Sequence, residues 1–344
     1  MKANLIKWLG VATLFCAGMI FISCGDKKTA QCSKEKPCEY KFSHVVSENT
    51  PKGKAANYFA KLVKERSNGR LVIHVFPSAQ LIDDDKIFQE LKRNNVQFGA
   101  PSFSKFTPLA KEFNLWDVPF IFRDTDHLHA VMDGEVGEIL KNAIATKGFI
   151  ALSYWDAGFK QFSTNKKPIL NPSDVKGQKV RIMSSKVLEE QIKAVNGNPQ
   201  VLPFGEVYSA LQTGVVDAAE NPLSNLYNSK FYEVQKSITL SNHGYLGYLV
   251  VASEKFWASL SESDKALIES AMKEATEYER IESAKEETLL LERLQTNDKT
   301  NTKIYELSPA QKAEWESVMR AIYPKFYDLI GEDLIKKTLE TKAQ

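Results

Sequence analysis

The chain has 344 residues, 43% of them hydrophobic, and 45 Lys and Arg residues stand against 43 Asp and Glu. This near-neutral balance without a basic block argues against charge-driven binding to nucleic acid or to an anionic membrane surface. The length exceeds one typical domain, so we expect two.

Residues 1–23 have the composition of a secretory signal. Two lysines and no acid accompany an apolar run from Trp8 to Ile22. The run is fifteen residues long, shorter than the roughly 20 residues of a membrane-spanning helix but within the signal-peptide range. We therefore expect cleavage and an extracytoplasmic mature chain with equal numbers of basic and acidic residues.

The cysteines indicate a tethered protein. The junction that ends at Cys24 resembles a bacterial lipoprotein signal, in which the cysteine becomes the lipidated first residue, although an ordinary signal with a chance cysteine fits too. A lipid chain would be the sole membrane attachment. Cys32 and Cys38 can form a small local disulfide or stay reduced. Residues 24–38 are polar, so we expect a tether in which any bridge is peripheral to the fold.

The first half alternates strand and helix patterns. An extended pattern at Lys41–Val46 is followed by an amphipathic helix at Gly53–Ser67 and a second strand at Leu71–Phe76. A helix over Asp83–Asn94 and a short strand over Val96–Ala100 come next. This alternation predicts an α/β fold with a mainly parallel sheet.

The second half repeats the alternation and then becomes helical. Strands are predicted at Gly148–Tyr154, Lys179–Met183, Gly197–Leu202, Val215–Ala219 and Tyr245–Ala252. Helices are predicted at Lys186–Asn196, Glu206–Thr213, Ser261–Leu294, Pro309–Tyr323 and Lys325–Leu339. The third of these helices contains no Gly or Pro and has apolar residues at helical spacing, so we expect one long packed helix.

The sequence lacks common enzyme and cofactor motifs, including Gly-rich nucleotide loops, Gly-x-Ser-x-Gly and His-Glu-x-x-His. Ser102 and Lys105 fit a Ser-x-x-Lys pattern, but its companion triplets are absent. Asp83–Asp85 lacks the glycine of a calcium loop, so we expect it to cap a helix. His127 and His129 are expected at the surface. We predict no cofactor, no metal and no catalytic activity.

Three polar side chains could bind an anion. Arg181 lies on the opposite strand face from its apolar neighbours, and its planar fork can bind a carboxylate through two hydrogen bonds. Lys160 follows a turn, and Asn221 is at a predicted strand end, where open α/β sheets bind ligands. From the residues alone, a surface arginine and a solvated lysine fit better than ligand contacts, and an Asn-Pro turn fits as well as one.

Three segments carry a family resemblance: Gly158-Phe-Lys-Gln-Phe-Ser-Thr-Asn, Lys179-Val-Arg-Ile182, and the run from Phe204 to Glu220-Asn-Pro222. From Phe42 onward the chain resembles the periplasmic solute-binding subunits of TRAP transporters, the DctP family, most closely the branch that binds four-carbon dicarboxylates. The resemblance implies a two-lobed fold like that of type II periplasmic binding proteins, with a ligand cleft between the lobes.

The resemblance also implies roles for individual residues. Arg181 falls where the family clamps a carboxylate. Lys160 replaces an arginine found in many relatives and would pair with a second carboxylate, which favours a diacid. Asn221 would donate from its amide, and Phe204 would pack over the ligand's carbon chain unless it is a core residue.

Five further side chains are weaker candidates. Ser102 stands where the sialic-acid branch has a glutamate, so it would not repel a second carboxylate. Asn49 and Lys52 belong to the first strand-to-helix loop, which could bind an anion or simply be exposed. Trp155 could wall the cleft or be core, and core packing is preferred for Tyr208.

We therefore expect a periplasmic lipoprotein, in a bacterium of Gram-negative type, that delivers succinate, fumarate or malate to separate TRAP permease subunits. As the family implies, lobe I would comprise residues 39–157 and 247–286, and lobe II would comprise residues 158–246 and 287–344. A receptor for a 2-oxo acid or sugar acid is the first alternative. A structural surface lipoprotein and an extracytoplasmic hydrolase are less favoured.

Overall fold

The computed structural model describes residues 32–296 and 301–343. The predicted signal segment and Cys24 lie outside this part of the chain. Within it, no helix is long and apolar enough to cross a membrane. Cys32 and Cys38 form a disulfide with Cα atoms 5.4 Å apart, and Cys32 is buried in the core. The end of the expected tether is therefore packed into the fold.

Strands and helices alternate through most of the described residues. The strands are β1 Cys38–Ser43, β2 Leu71–Phe76, β3 Phe98–Gly99, β4 Phe149–Phe159, β5 Gln161–Thr164, β6 Lys179–Ile182, β7 Asn198–Val201, β8 Ala218–Asn221, β9 Ser237–Leu240, β10 Tyr245–Ser253 and β11 Lys303–Glu306. The helices are α1 Pro51–Arg66, α2 Ile87–Arg93, α3 Thr125–Asp133, α4 Glu135–Ala145, α5 Lys186–Ala194, α6 Val207–Thr213, α7 Leu223–Asn228, α8 Glu254–Ser259, α9 Glu262–Gln295, α10 Pro309–Arg320, α11 Tyr327–Ile330 and α12 Glu332–Glu340.

The strands form two mixed sheets. The first has the order β2-β1-β3-β10-β4, and the second has the order β11-β9-β5-β8-β6-β7. β1 is parallel to β2 and β3, whereas β10 is antiparallel to β3 and β4. In the second sheet β5 is antiparallel to β8 and β9. The sheets are thus less uniformly parallel than predicted, because strands that pass between them reverse direction.

Two adjacent segments connect the sheets. β4 of the first sheet continues almost directly into β5 of the second, and β9 of the second returns to β10 of the first. At the crossing, the Lys160 N–H donates to the Gly244 carbonyl at 2.8 Å. Gly158 has φ +122°, a conformation that favours glycine just before the chain changes sheets. The two halves are therefore joined at one paired crossing.

The long predicted helix is confirmed as α9, which packs against α1 and β4. Its N-cap is Ser261, whose side chain accepts from the Asp264 N–H. Further on, Ser308 caps α10 as predicted, with Pro309 in its first turn. α11 packs against the short helix Lys111–Asp117, and α12 packs against α4.

Some local expectations were wrong. The first strand was expected to end at Val46, but β1 ends at Ser43, where the chain leaves the sheet. The second helix was expected to begin at Asp83, but α2 begins at Ile87. Asp84 does not cap a helix: its side chain is buried. His127 is fully buried rather than exposed, because α12 covers it and the Thr338 carbonyl lies 2.9 Å from its Nε2. His129 is half-buried, with its Nε2 2.7 Å from Asp156 Oδ2.

β8 starts three residues later than predicted, at Ala218. Gly214, with φ +76°, ends α6, and Val215 is exposed, so the chain is still turning there. The shift places Asn221 as the last residue of β8. The predicted position at a strand end is thereby confirmed.

Candidate functional site

A narrow cavity lies between the two sheets. One wall comes from the first sheet and the loops that follow β1, β2 and β3. The other comes from β6, β8, α7 and the short 3-10 helix Phe204–Glu206. Its lining residues are Val45, Val46, Asp83, Asp84, Ser102, Lys105, Arg181, Met183, Phe204, Asn221, Asn225, Leu246 and Tyr248. The cavity lies at the carboxyl ends of parallel strands, where α/β sheets commonly bind ligands.

Arg181 is the principal cation of the second-sheet wall. Its side chain is 2% exposed, and its Nε and Nη2 donate to the Leu202 carbonyl at 3.1 and 2.8 Å. Burial lowers the pKa of Arg181 to about 10, although Glu220 opposes this shift, so the guanidinium stays charged at neutral pH. Two of its five N–H groups fix its orientation, and the others have no hydrogen-bond partner within the described part of the chain and are available to an anion.

The buried side-chain amide of Asn221 gives the strongest indication that the cavity binds a polar ligand. It is 1% exposed, and neither Nδ2 nor Oδ1 of its amide has a hydrogen-bond partner among the described residues. Asn225, one turn into α7, also has an unpartnered Oδ1, while its Nδ2 donates to Tyr248 Oη at 3.4 Å. Buried polar groups normally have partners, so a polar ligand in the cavity would supply them.

The first-sheet wall contains cations and acids in close proximity. Lys105 forms an ion pair with Asp85. Lys52 lies behind the wall: its Nζ donates to the Ala100 carbonyl at 2.9 Å and lies 3.5 Å from the Tyr248 ring centroid. Burial lowers the pKa of Lys52 to about 8 despite the nearby carboxylates of Asp84 and Glu279. Lys52 therefore adds positive potential without lining the cavity.

Apolar and neutral side chains complete the cavity. Ser102 is 5% exposed and bridges to Tyr248 through an isolated β-bridge. The half-buried Phe204 ring lies 6.0 Å from the Arg181 guanidinium carbon. Both residues line the cavity, as do Leu246 and Met183. The structure thus brings four predicted site residues together: Ser102, Arg181, Phe204 and Asn221.

Lys160 does not line the cavity, contrary to our expectation. It is 1% exposed, and its Nζ donates to Glu220 at 2.8 Å and lies 3.8 Å from Asp117. His243 Nε2 is 2.9 Å from the other carboxylate oxygen of Glu220. Burial alone would raise the pKa of Glu220, but Lys160 and then His243 hold it well below its ordinary value. The charge of Lys160 is thus neutralised within the crossing.

Four other candidates lie elsewhere. Trp155 is fully buried: its Nε1 donates to Thr276, and its ring stacks on the core residue Phe42. Asn49 is exposed, with its backbone N–H bonded to Ser47 Oγ. The Tyr208 hydroxyl points outward to Glu233. Together with Lys52, these residues are absent from the cavity wall because their backbone positions direct them to the core or to the surface.

The sequence interpretation missed five polar wall residues, Asp83, Asp84, Lys105, Asn225 and Tyr248, as well as the apolar ones. Two of the five had local signals, because Lys105 follows Ser102 by three residues and Asn225 follows Asn221 by four. Asp83 and Asp84 were assigned to a helix cap, and Tyr248 lies within an otherwise apolar strand that gave no sign of a binding role. Within residues 32–296 and 301–343, no group of His, Cys, Asp or Glu is arranged to hold a metal ion.

Known proteins share this architecture. A family model described as bacterial extracellular solute-binding protein, family 7, matches residues 42–329. The C4-dicarboxylate-binding periplasmic protein DctP of Rhodobacter capsulatus is 42% identical over 310 residues, which cover 90% of this chain and 92% of that protein.

Two solved structures are also similar. A TRAP periplasmic solute-binding protein of Sulfurospirillum deleyianum with bound succinate is 58% identical, with a TM-score of 0.87 over 88% of this chain and 99% of that chain. The sugar-acid-binding protein DctPAm of Advenella mimigardefordensis, in complex with galactonate, is 30% identical, with a TM-score of 0.86 over 89% of this chain and 97% of that chain.

Proposed function

The chain belongs to the bacterial extracellular solute-binding proteins of family 7, and from that premise we propose that it binds a four-carbon dicarboxylate such as succinate, fumarate or malate. The observation that carries this proposal is the buried cavity in which Arg181 keeps free N–H donors beside the unpartnered amide of Asn221. One carboxylate would bind there.

The second carboxylate would bind at the opposite wall. Lys105 and Ser102 line that wall, and Lys52 lies behind it with its Nζ close to the Tyr248 ring. Arg181 on one wall and Lys105 on the other suit a short diacid, whereas an acid with one carboxylate would engage only one of these cations. Lys105 takes the role that the sequence interpretation gave to Lys160.

A sugar acid is the alternative that a specific observation supports. Asp83 and Asp84 line the cavity, and carboxylates accept hydrogen bonds from hydroxyl groups. The Advenella relative that binds galactonate has a similar overall fold. A panel that includes galactonate, pyruvate and acetate separates this alternative from the diacid.

The test is thermal unfolding of residues 25–344, unfolded and refolded to remove carried ligand, against this panel and the three diacids. A ligand at 100 times its Kd stabilises the native state by about 2.7 kcal/mol. Stabilisation by diacids supports the proposal, and stabilisation by galactonate or pyruvate alone contradicts it. We expect Arg181→Ala to weaken diacid binding by about 2–5 kcal/mol, or roughly 30-fold to several thousand-fold.

Lys179→Ala is the matched control, because Lys179 lies in the same strand but donates from Nζ to the Gly214 carbonyl at the surface. It should leave the affinity unchanged. Equal losses in Arg181→Ala and Lys179→Ala would show a general effect on the second sheet and not a contact with the ligand.

The proposal extends to assembly and location. The division into lobes would follow the crossing at Lys160 and Gly244. α11 and α12, which the sequence interpretation gave to lobe II, pack against the Lys111–Asp117 helix and α4 and would belong with lobe I. Closure around a diacid would create the surface that separate TRAP permease subunits bind. Cys24 would carry a lipid, which labelled palmitate tests: incorporation should be lost in Cys24→Ser, and persistence of the label would exclude that residue.

A further inference from the structure

The cavity wall contains carboxylates as well as cations. Lys105 and Arg181 bring two positive charges, but Asp83 and Asp84 also line the cavity and Lys105 already pairs with Asp85. A fully ionised diacid adds two further negative charges to this enclosed space. Like charges that share a poorly solvated site disfavour one another, and one of them commonly takes up a proton.

Asp84 is the acid best placed to take that proton. Its side chain is 5% exposed, whereas Asp83 is only half-buried and Asp85 is exposed. No salt bridge of Asp84 with a cation occurs within the described residues, although two lysines are close enough to affect it electrostatically. The charged and titratable groups around it are Lys52 of α1, Lys105 of the Phe103–Phe106 turn, Arg181 of β6, Tyr248 of β10 and its neighbour Asp83.

The lysines that favour ionised Asp84 are the groups that a bound carboxylate would engage. Lys105 lines the cavity, and Lys52 lies directly behind it. When a ligand carboxylate binds beside them, it competes with Asp84 for their positive potential. The ionised form of Asp84 then loses favourable interactions and gains a like charge. A protonated Asp84 instead offers an O–H donor to the ligand.

We propose that this protein binds a four-carbon diacid together with one proton, which Asp84 takes from solvent on binding and returns to solvent on release. The inference rests on the proposed function. It adds that the bound species is the diacid with a neutralised wall carboxyl, so that affinity depends on pH.

In the free protein the carboxyl of Asp84 is already close to taking up a proton at neutral pH. Burial raises the pKa of Asp84 to about 6, against the opposing effects of Lys52 and Lys105. A bound diacid raises the pKa of Asp84 further, because it adds negative charge beside the carboxylate. Above about pH 6 the free protein has ionised Asp84, so binding requires proton uptake and the apparent Kd rises by up to about tenfold per pH unit. Below about pH 6 Asp84 is already protonated, so this dependence disappears.

The experiment is calorimetric titration of residues 25–344 with succinate at about pH 7.5, in buffers of different ionisation enthalpy. The dependence of the observed heat on buffer gives the number of protons taken up, and we expect close to one per succinate. Asp84→Asn should bind succinate without proton uptake, and its affinity should not change between about pH 7 and 8.

Asp126→Asn is the matched control, since it removes the same charge from an exposed position of α3 outside the cavity and should retain the proton uptake. Wild-type binding without uptake, or uptake that persists in Asp84→Asn, would overturn this inference alone. Failure of every diacid to bind would overturn the proposed function and the inference together. A loss of folding in Asp84→Asn would leave the wild-type titration as the deciding measurement.

Discussion

Asn221 combines burial with an unsatisfied amide, which costs stability in the absence of a ligand. Leaving a buried donor or acceptor without a partner costs about 1–3 kcal/mol. An apolar replacement removes that cost and also the contacts available to a ligand. A residue that binds ligand through this amide would do so at the expense of the stability of the free protein.

We predict that Asn221→Leu unfolds at the same or a higher temperature than the wild type without ligand, and that it loses the succinate-induced shift. Asn198→Leu, at the exposed start of β7, is the control and should keep the shift. Thermal unfolding with and without succinate checks both. A clear fall in the unliganded melting temperature of Asn221→Leu would mean that the amide is satisfied in the free protein.

At the level of residues, sequence reasoning identified the second-sheet wall better than the first-sheet wall. Arg181 and Asn221 lie in regular strands, whose periodicity and ends can be predicted from apolar alternation. Asp84 and Lys105 lie in a loop and a short turn, where direction depends on tertiary packing that no local pattern encodes. Lys160 was misplaced because its partner Glu220 is distant in sequence.

Among the elements, the crossing between the sheets depends on a buried ion pair. Lys160 contacts Glu220, which also contacts His243 and accepts from Gln191 Nε2 at 3.0 Å. Removing one member of a buried pair leaves an uncompensated charge and typically costs about 3–5 kcal/mol. Because Glu220 immediately precedes Asn221, the pair also fixes the strand end where we propose that the ligand binds.

We predict that Lys160→Met loses about 3–5 kcal/mol of stability, and that adding Glu220→Gln restores most of it. Lys166→Met, which removes an exposed partner of Asp217, should cost less than about 1 kcal/mol. Urea unfolding measures all three. Unchanged stability in Lys160→Met with a large loss of succinate affinity would instead support direct contact between Lys160 and the ligand.

Most elements were predictable and their ends were not. β2 and the long helix α9 coincide closely with their sequence patterns, because apolar periodicity continues through them. α2 is much shorter than predicted: the acids before it face the cavity and do not form a first turn. The antiparallel pairing of β10 with β4 depends on the return of the chain between sheets, which is a long-range feature.

For the whole molecule, buried histidines link stability to pH. Burial, and then the charge of Lys52, lowers the pKa of His44 from 6.5 to about 3, and burial also lowers the pKa of His243. A histidine with a depressed folded pKa contributes its full stability above its unfolded pKa. That contribution falls as the pH drops from about 6.5 toward the folded value, because only the unfolded chain then takes up the proton.

We predict that the wild type loses about 2 kcal/mol more stability than His44→Leu between pH 7 and about pH 5. His74→Leu replaces an exposed histidine of β2 and should follow the wild type. Urea unfolding at the two pH values provides the comparison. Parallel losses in wild type and His44→Leu would show that His44 is protonated, or solvated, in the folded protein.

The structure of the protein with bound succinate is the most direct measurement of the central claim. We predict that succinate lies in the cavity between the sheets, with one carboxylate within about 3 Å of both the Arg181 guanidinium and the Asn221 amide. The other carboxylate should face Ser102 and Lys105. Succinate bound outside this cavity, for example in the surface groove beside Phe120 and Arg320, or bound against Lys160 at the crossing, would contradict the account.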